Sequence, residues 1–194
     1  MKYDLSEILE VIKNRRSIYP EQYSERKVSK EQLEKMLEAA RWAPTHKLTQ
    51  PWRFKVFYGE KALKKFADFH AETYKKITPP EDFSEMKYNK LKTRPLMASA
   101  VIAVCMERNP KVPEIEEIEA VACAVQNMHL VATAYGLGAY WGTGGLTYHP
   151  EMKKFLGLKE DDKCLGLFHV GYPKIEWPKG QRKPMEYYTE WIDE

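Results

Sequence analysis

Little in this chain invites a metal, a disulfide or a membrane. Only 3 of the 194 residues are cysteine, and Cys105, Cys123 and Cys164 stand far apart in apolar surroundings. Disulfide frameworks and zinc sites need closer, paired spacing, so no metal site is expected and the thiols read as core residues of a reducing cytosol. A formal net charge of +3, evenly spread, gives no footprint for nucleic acid, and no nucleic-acid partner is expected. No uncharged apolar run approaches the ~18 residues that a membrane span needs. The opening MKYDLSEILE carries acids where a signal peptide needs an apolar stretch, so the expected location is cytoplasmic, with no membrane partner.

Equally absent is an acid–base or nucleophile set. No paired carboxylates, Ser-His-Asp or Cys-His arrangement is defensible from spacing, and His70, His129, His149 and His169 stand singly. Each of these reads as a core or surface histidine. If such a chain is an enzyme, a cofactor carries the chemistry.

What is present is an orderly alternation of elements. Residues 115–145 hold the organising stretch. Apolar rows through Ile118, Val125 and Ala132, and through Val121, Ala124 and Met128, give a long helix apolar on both rows, expected to be buried at a core or a subunit contact. Gly136 and Gly138 end it. Before it, Leu5, Ile8, Leu9 and Ile12 mark a short amphipathic helix, and Ser29 with Gln32 forms a capping box before a second. A strand is expected at 53–58 and a helix after Gly59. A charged aromatic segment, 81–92, reads as a flap. Strands follow at 96–106, 139–142 and 164–170, with a short helix from Pro150. The predicted fold is one α+β domain over 1–194: a three-layer sandwich, with a mixed central sheet between helices and residues 174–194 as an extended arm.

Four stretches could bind a ligand. Arg15-Arg16-Ser17 closes the first helix and concentrates donors suited to phosphate, although cations at a helix C-terminus also have a purely structural use. Residues 42–54, WAPTHKLTQPWRF, pack hydrogen-bonding side chains onto a proline-stiffened loop, as a flat heteroatom-rich ring would require. Half of the 10 glycines fall within 136–145, where helix termination explains only the first two. The run is no dinucleotide fingerprint, because Trp141 stands where the last glycine belongs and a helix precedes it. Last, Gln181-Arg182-Lys183-Pro184 is a cationic cluster within the arm.

Taken together and in order, RRS, APTHKLTQPWRF, AVQNMHLVATAYGLGAYW, GYP and QRKP make the chain resemble the nitroreductase family of flavin oxidoreductases over essentially its whole length. The Thr-His-Lys form of the second motif looks most like the small bacterial nitroreductase-like proteins. The resemblance implies an FMN-binding homodimer with two flavins at the subunit interface. NADPH or NADH would reduce the flavin, and a small-molecule acceptor (a nitroaromatic, a quinone or a similar conjugated compound) would reoxidise it in a ping-pong cycle.

Carried over by position, Arg15, Arg16 and Ser17 would hold the FMN phosphate and ribityl chain, with Arg182 joining them. Pro44, Thr45 and His46 would run beside the isoalloxazine or come from the second subunit, and Gln50 would sit near its polar edge. Trp141, Gly142 and Thr143 would meet the flavin from the loop after the central helix. One departure stands out: Leu48 occupies the place of a flavin-contacting asparagine, with His46 and Lys47 replacing small residues. Two other readings stay open, a family member with a dedicated dehalogenation or dehydrogenation substrate and a non-catalytic FMN-binding protein.

Overall fold

A computed structural model describes residues 3–193. Four strands, β1 (Trp52–Tyr58), β2 (Ala100–Met106), β3 (Gly138–Gly142) and β4 (Lys163–Gly171), form one sheet in the order β1-β2-β4-β3. Six helices surround it: α1 (Leu5–Asn14), α2 (Lys30–Ala40), α3 (Glu60–Ile77), α4 (Glu85–Thr93), α5 (Glu114–Ala134) and α6 (Pro150–Phe155).

Strand β2 explains the layering. All seven of its residues are buried. Ala100, Ile102, Val104 and Met106 pack with Leu33 and Met36 of α2 and with Val121, Ala124 and Met128 of α5. Val101, Ala103 and Cys105 point the other way, to Leu63 and Phe66 of α3 and Met152 of α6. With both faces covered, alternation has no polar phase left, and an unbroken apolar run results. Each large side chain so buried contributes about 1.5–3 kcal/mol. The capping box opens α2 as expected, with Ser29 Oγ accepting the Gln32 N–H at 3.2 Å and Gln32 Oε1 accepting the Ser29 N–H at 3.0 Å.

Two expectations are corrected, the strand directions of the sheet and the setting of the cysteines. The sheet is antiparallel in every ladder rather than mixed; the parallel element is an isolated bridge between Ser17 and Ala139. The crossover through α5 does join parallel strands, β2 and β3, but β4 inserts between them, and apolar periodicity carries no information about strand direction. Helix α5 is only half buried within one chain. Glu117, Val121, Ala124, Val125, Met128, His129 and Ala132 are inside, whereas Ile115 is 59% exposed and Cys123 is exposed. Val121, Ala124 and Met128 are fully inside, and the uncovered side of the helix carries Ile115, Cys123 and Gln126. Cys123 is thus no core thiol, and Cys105 and Cys164 are not isolated, because register sets them opposite each other across β2 and β4.

Beyond Gly171 the arm starts on the body. Trp177 donates from Nε1 to the Asn14 carbonyl at 2.6 Å. Tyr187, Tyr188 and Trp191 are then exposed. No helix among the described residues is long and apolar enough to cross a membrane.

Candidate functional site

Residues 15–18 run alongside the outer edge of β3. The Ile18 N–H donates to the Ala139 carbonyl at 3.0 Å, so Ser17 sits beside the strand one residue from Tyr140. His129 on α5 holds this segment from behind: its Nε2 lies 2.8 Å from the Arg16 carbonyl. A carbonyl only accepts, so Nε2 carries the proton. Burial pushes the His129 pKa down to about 4, which keeps the ring neutral.

Around this segment the arginines gather without acids. Arg16 donates from Nε to the Pro178 carbonyl at 2.8 Å and from Nη1 to the Arg15 carbonyl at 2.8 Å. This ties the start of the arm to the end of α1. The pKa of Arg15 is lowered by burial and then by Arg182 and Arg16, so the three guanidiniums feel one another. None of them makes an ion pair with a carboxylate among the described residues. Like charges assembled without counter-charge are stabilised by a bound anion.

A cavity of about 230 Å³ opens on the α3 side of the sheet, with Tyr140 and Gly142 of β3 in its wall. Tyr140, Gly142, Leu167 and His169 supply its sheet wall, Gly144 and Gly145 its loop edge, and α4 with Arg94 and Pro95 its outer wall. Gly142 is a glycine because the Tyr140 ring folds over it, 2.6 Å from where a Cβ would stand. Gly145 has φ +68°, and a Cβ there would collide with Nε2 of His70. Nε2 of His70 in turn accepts the Leu146 N–H at 3.0 Å, locking the loop to α3. Burial holds both His70 and His169 at a pKa of about 4.

Two buried polar atoms at this cavity lack hydrogen-bond partners, Nδ1 of His169 and Nε of Arg94. Arg94 is held in place electrostatically. Its Nε lies 3.0 Å from Glu21 Oε1 without hydrogen-bond alignment, and its Nη2 donates to Glu21 Oε2 at 3.2 Å. The guanidinium carbon is 5.0 Å from the Tyr140 ring centroid. Orphaned buried groups carry a desolvation cost of roughly 1–3 kcal/mol each, which a polar ligand would offset.

The expected site residues fall into two groups. Arg15, Arg16 and Ser17 lie on the segment beside β3, with Arg182 close enough to act on Arg15, and Gly142 of the same strand lines the cavity. Thr143 follows Gly142 but does not line the cavity. Trp141, next to Tyr140, faces the opposite side of the sheet, its indole against Gly166 of β4.

Pro44, Thr45, His46 and Gln50 lie elsewhere, on the loop entering β1, three strands or about 14 Å away across the sheet. That loop is strained and held. Lys47, Leu48 and Gln50 have φ of 47°, 53° and 46°. Thr45 Oγ1 accepts the Gln50 N–H at 3.0 Å, and His46 Nδ1 lies 3.3 Å from Glu116 Oε2. Leu48 is 78% exposed.

Spacing missed Tyr140, Arg94, His70, His129 and His169. Only His129 left a signal, a polar residue on the buried stripe of α5. No group of three or more His, Cys, Asp or Glu among the described residues is arranged to hold a metal.

Known proteins resemble this chain in sequence and in fold. The profile of the nitroreductase family matches residues 12–172. YdjA of Escherichia coli K12, provisionally named an NAD(P)H nitroreductase, is 34% identical over 170 residues, covering 87% of this chain and 89% of YdjA. The crystal structure of a nitroreductase-like family protein from Bacillus cereus is 32% identical and superposes with a TM-score of 0.81 over 100% of this chain and 99% of its own. A nitroreductase from Bacteroides fragilis, solved with bound FMN, is 26% identical, with a TM-score of 0.68 over 97% and 99% of the two chains. With the profile spanning both the arginine segment and the cavity, and relatives aligned along nearly their whole length, the chain belongs to the nitroreductase family.

Proposed function

We propose that this protein is an FMN-dependent oxidoreductase, a homodimer that takes reducing equivalents from NADH or NADPH and passes them to nitroaromatic, quinone or similar conjugated acceptors. The observation that carries the reading is an acid-free cluster of Arg15, Arg16 and Arg182 on the segment that runs along β3, the strand whose Tyr140 and Gly142 wall the cavity. Together these fit a ligand with a phosphate at one end and a flat, heteroatom-rich ring at the other.

FMN, when bound, supplies hydride acceptance and electron transfer, which explains why the chain has no acid–base set of its own. The protein's part is placement and electrostatics. Arg15, Arg16 and Arg182 bind the phosphate, and Ser17 adds a hydroxyl to the same end. Gly142, with Thr143 after it, brings backbone close to the ring. Arg94, fixed by Glu21, supplies the positive charge that favours an electron-rich ring edge. His129 and His70 orient the two halves of this cradle through Arg16 and Leu146. Pro44, Thr45, His46 and Gln50, remote within one chain, complete the site from the second subunit.

The test is the visible spectrum of the purified protein, repeated anaerobically with NADPH and then NADH. Flavin bands that bleach with a nicotinamide are the expected result, and the faster donor identifies the preferred one. Bands that persist would leave a non-catalytic FMN protein. No flavin, even after added FMN, would overturn the reading.

A further inference from the structure

Helix α4 turns one face to the cavity. Lys87, Lys90, Leu91 and Arg94 lie three, four and seven residues apart, and all four line it. Their charges are not equivalent. Arg94 is already paired with Glu21. Lys87 and Lys90 make no ion pair among the described residues, whereas other helical lysines do: Lys30 with Glu34 at 3.4 Å, Lys64 with Asp68 at 2.5 Å and Lys154 with Glu151 at 2.8 Å. Lys87 instead places its Nζ 4.6 Å from the Tyr74 ring centroid, leaning inward over α3.

Nothing at the cavity answers these two charges. No Asp or Glu lines it, and its two histidines, His70 and His169, are buried and neutral. His169 is 6% exposed and leaves Nδ1 without a partner. Leu91, Pro95, Leu167 and the Tyr140 ring make the rest of the wall apolar and flat-sided. A mouth with two unpaired cations, over a largely apolar pocket, selects a planar molecule with a negative end.

We propose that the acceptor reduced at the mouth of this cavity is a nitroaromatic or quinone that also carries a negative group, such as a carboxylate, whose charge is bound by Lys87 and Lys90. This rests on the flavin reading and adds the class of acceptor to it. Lys87 and Lys90 act in recognition and hold no role in electron transfer. Both are exposed at the cavity mouth, so replacing them leaves the core intact.

The experiment compares the FMN-loaded protein with its Lys87→Met/Lys90→Met double variant on 4-nitrobenzoate and 4-nitrobenzyl alcohol, which share a ring and differ in charge. The double variant is expected to lose about 10-fold or more in kcat/KM on the anion, mainly through KM, and less than about twofold on the alcohol. The wild-type preference for the anion should also shrink as salt rises.

Equal loss on both acceptors would assign the lysines to the flavin and overturn the proposal. So would a loss seen with NADPH and not NADH, which would assign them to the 2′-phosphate, and so would no change. Calorimetric titration with benzoate, without NADH, asks the same question apart from turnover. Heat of binding that persists in the double variant would overturn the proposal even if the protein held no flavin, and missing flavin bands would separately overturn the FMN reading.

Discussion

The Leu146 backbone N–H donates to Nε2 of His70 at 3.0 Å, joining two points 76 residues apart in the chain. The bond fixes the glycine loop at the cavity edge against α3. It also requires the neutral ring that burial enforces. His70→Phe keeps the ring volume and removes the acceptor, leaving a buried N–H unpaired at a cost of about 1–3 kcal/mol. FMN affinity should fall about tenfold, while His70→Gln, which restores an acceptor, stays near wild type. Fluorescence titration with FMN and urea unfolding measure both. Wild-type affinity in His70→Phe would show that the loop is held by something else.

Gly145 and Gly144 are adjacent but not interchangeable. At Gly145 a Cβ would strike His70 and come within 3.0 Å of Leu91 Cδ2, on a φ of +68°. At Gly144 a Cβ would meet nothing within 4 Å. Gly145→Ala therefore combines backbone strain of about 1–3 kcal/mol with displacement of the loop from α3 and α4. It should lower the unfolding midpoint and weaken FMN binding together. Gly144→Ala should do neither. A matched pair of melting curves, with and without FMN, distinguishes them, and equal behaviour would remove the loop–histidine contact from the account.

Three buried histidines set a pH window. His70, His129 and His169 each have a folded pKa of about 4 against 6.5 for a free ring. Between those values the unfolded chain binds protons that the folded chain does not, so stability falls as pH drops from about 6.5 towards 4. Each site contributes at most about 3 kcal/mol of that loss. The sites differ in consequence. A protonated His129 still donates to the Arg16 carbonyl, whereas a protonated His70 can no longer accept from Leu146. FMN release should therefore begin before global unfolding as the solution is acidified. Urea midpoints and flavin fluorescence at pH 7.5, 6 and 5 test this. A flat stability profile would mean that the rings titrate normally.

Element type was legible where periodicity or caps were strong. Ser29 and Gln32 announced α2, and the apolar run through Val101 and Val104 announced a strand covered on both faces. Strand direction was not, because alternation is identical in parallel and antiparallel ladders. The proposed phosphate end draws on Arg15, Arg16 and Arg182, which belong to dense local clusters that the sequence displays. The cavity end was not legible there. Tyr140 and His169 become neighbours through β3–β4 register, and Arg94 reaches them from the end of α4. Such long-range pairing leaves no mark on spacing. A histidine amid apolar residues on α5 was the exception. His129 is a core residue, as its setting implied, and it also holds the arginine segment.

Helix α1 has no buried residue, yet Leu5, Ile8, Leu9 and Ile12 form its apolar face, each between 41% and 55% exposed. Ile115 and Cys123 of α5 and the aromatic end of the arm are likewise uncovered in one chain. Burying one such side chain is worth about 1.5–3 kcal/mol, so surfaces of this kind call for a cover. A second copy would provide it and would also bring the strained loop bearing Thr45 and His46 to a cavity that its own chain cannot reach. Ile8→Glu with Ile12→Glu places two charges on the exposed face without touching the core, so the helical circular-dichroism signal should persist. The protein should become monomeric by light scattering and lose FMN affinity by more than about tenfold, because the site would lack half its residues. A wild-type monomer that binds FMN would defeat the two-subunit site outright. The loop at Lys47, Leu48 and Gln50 would then need another reason for its strain.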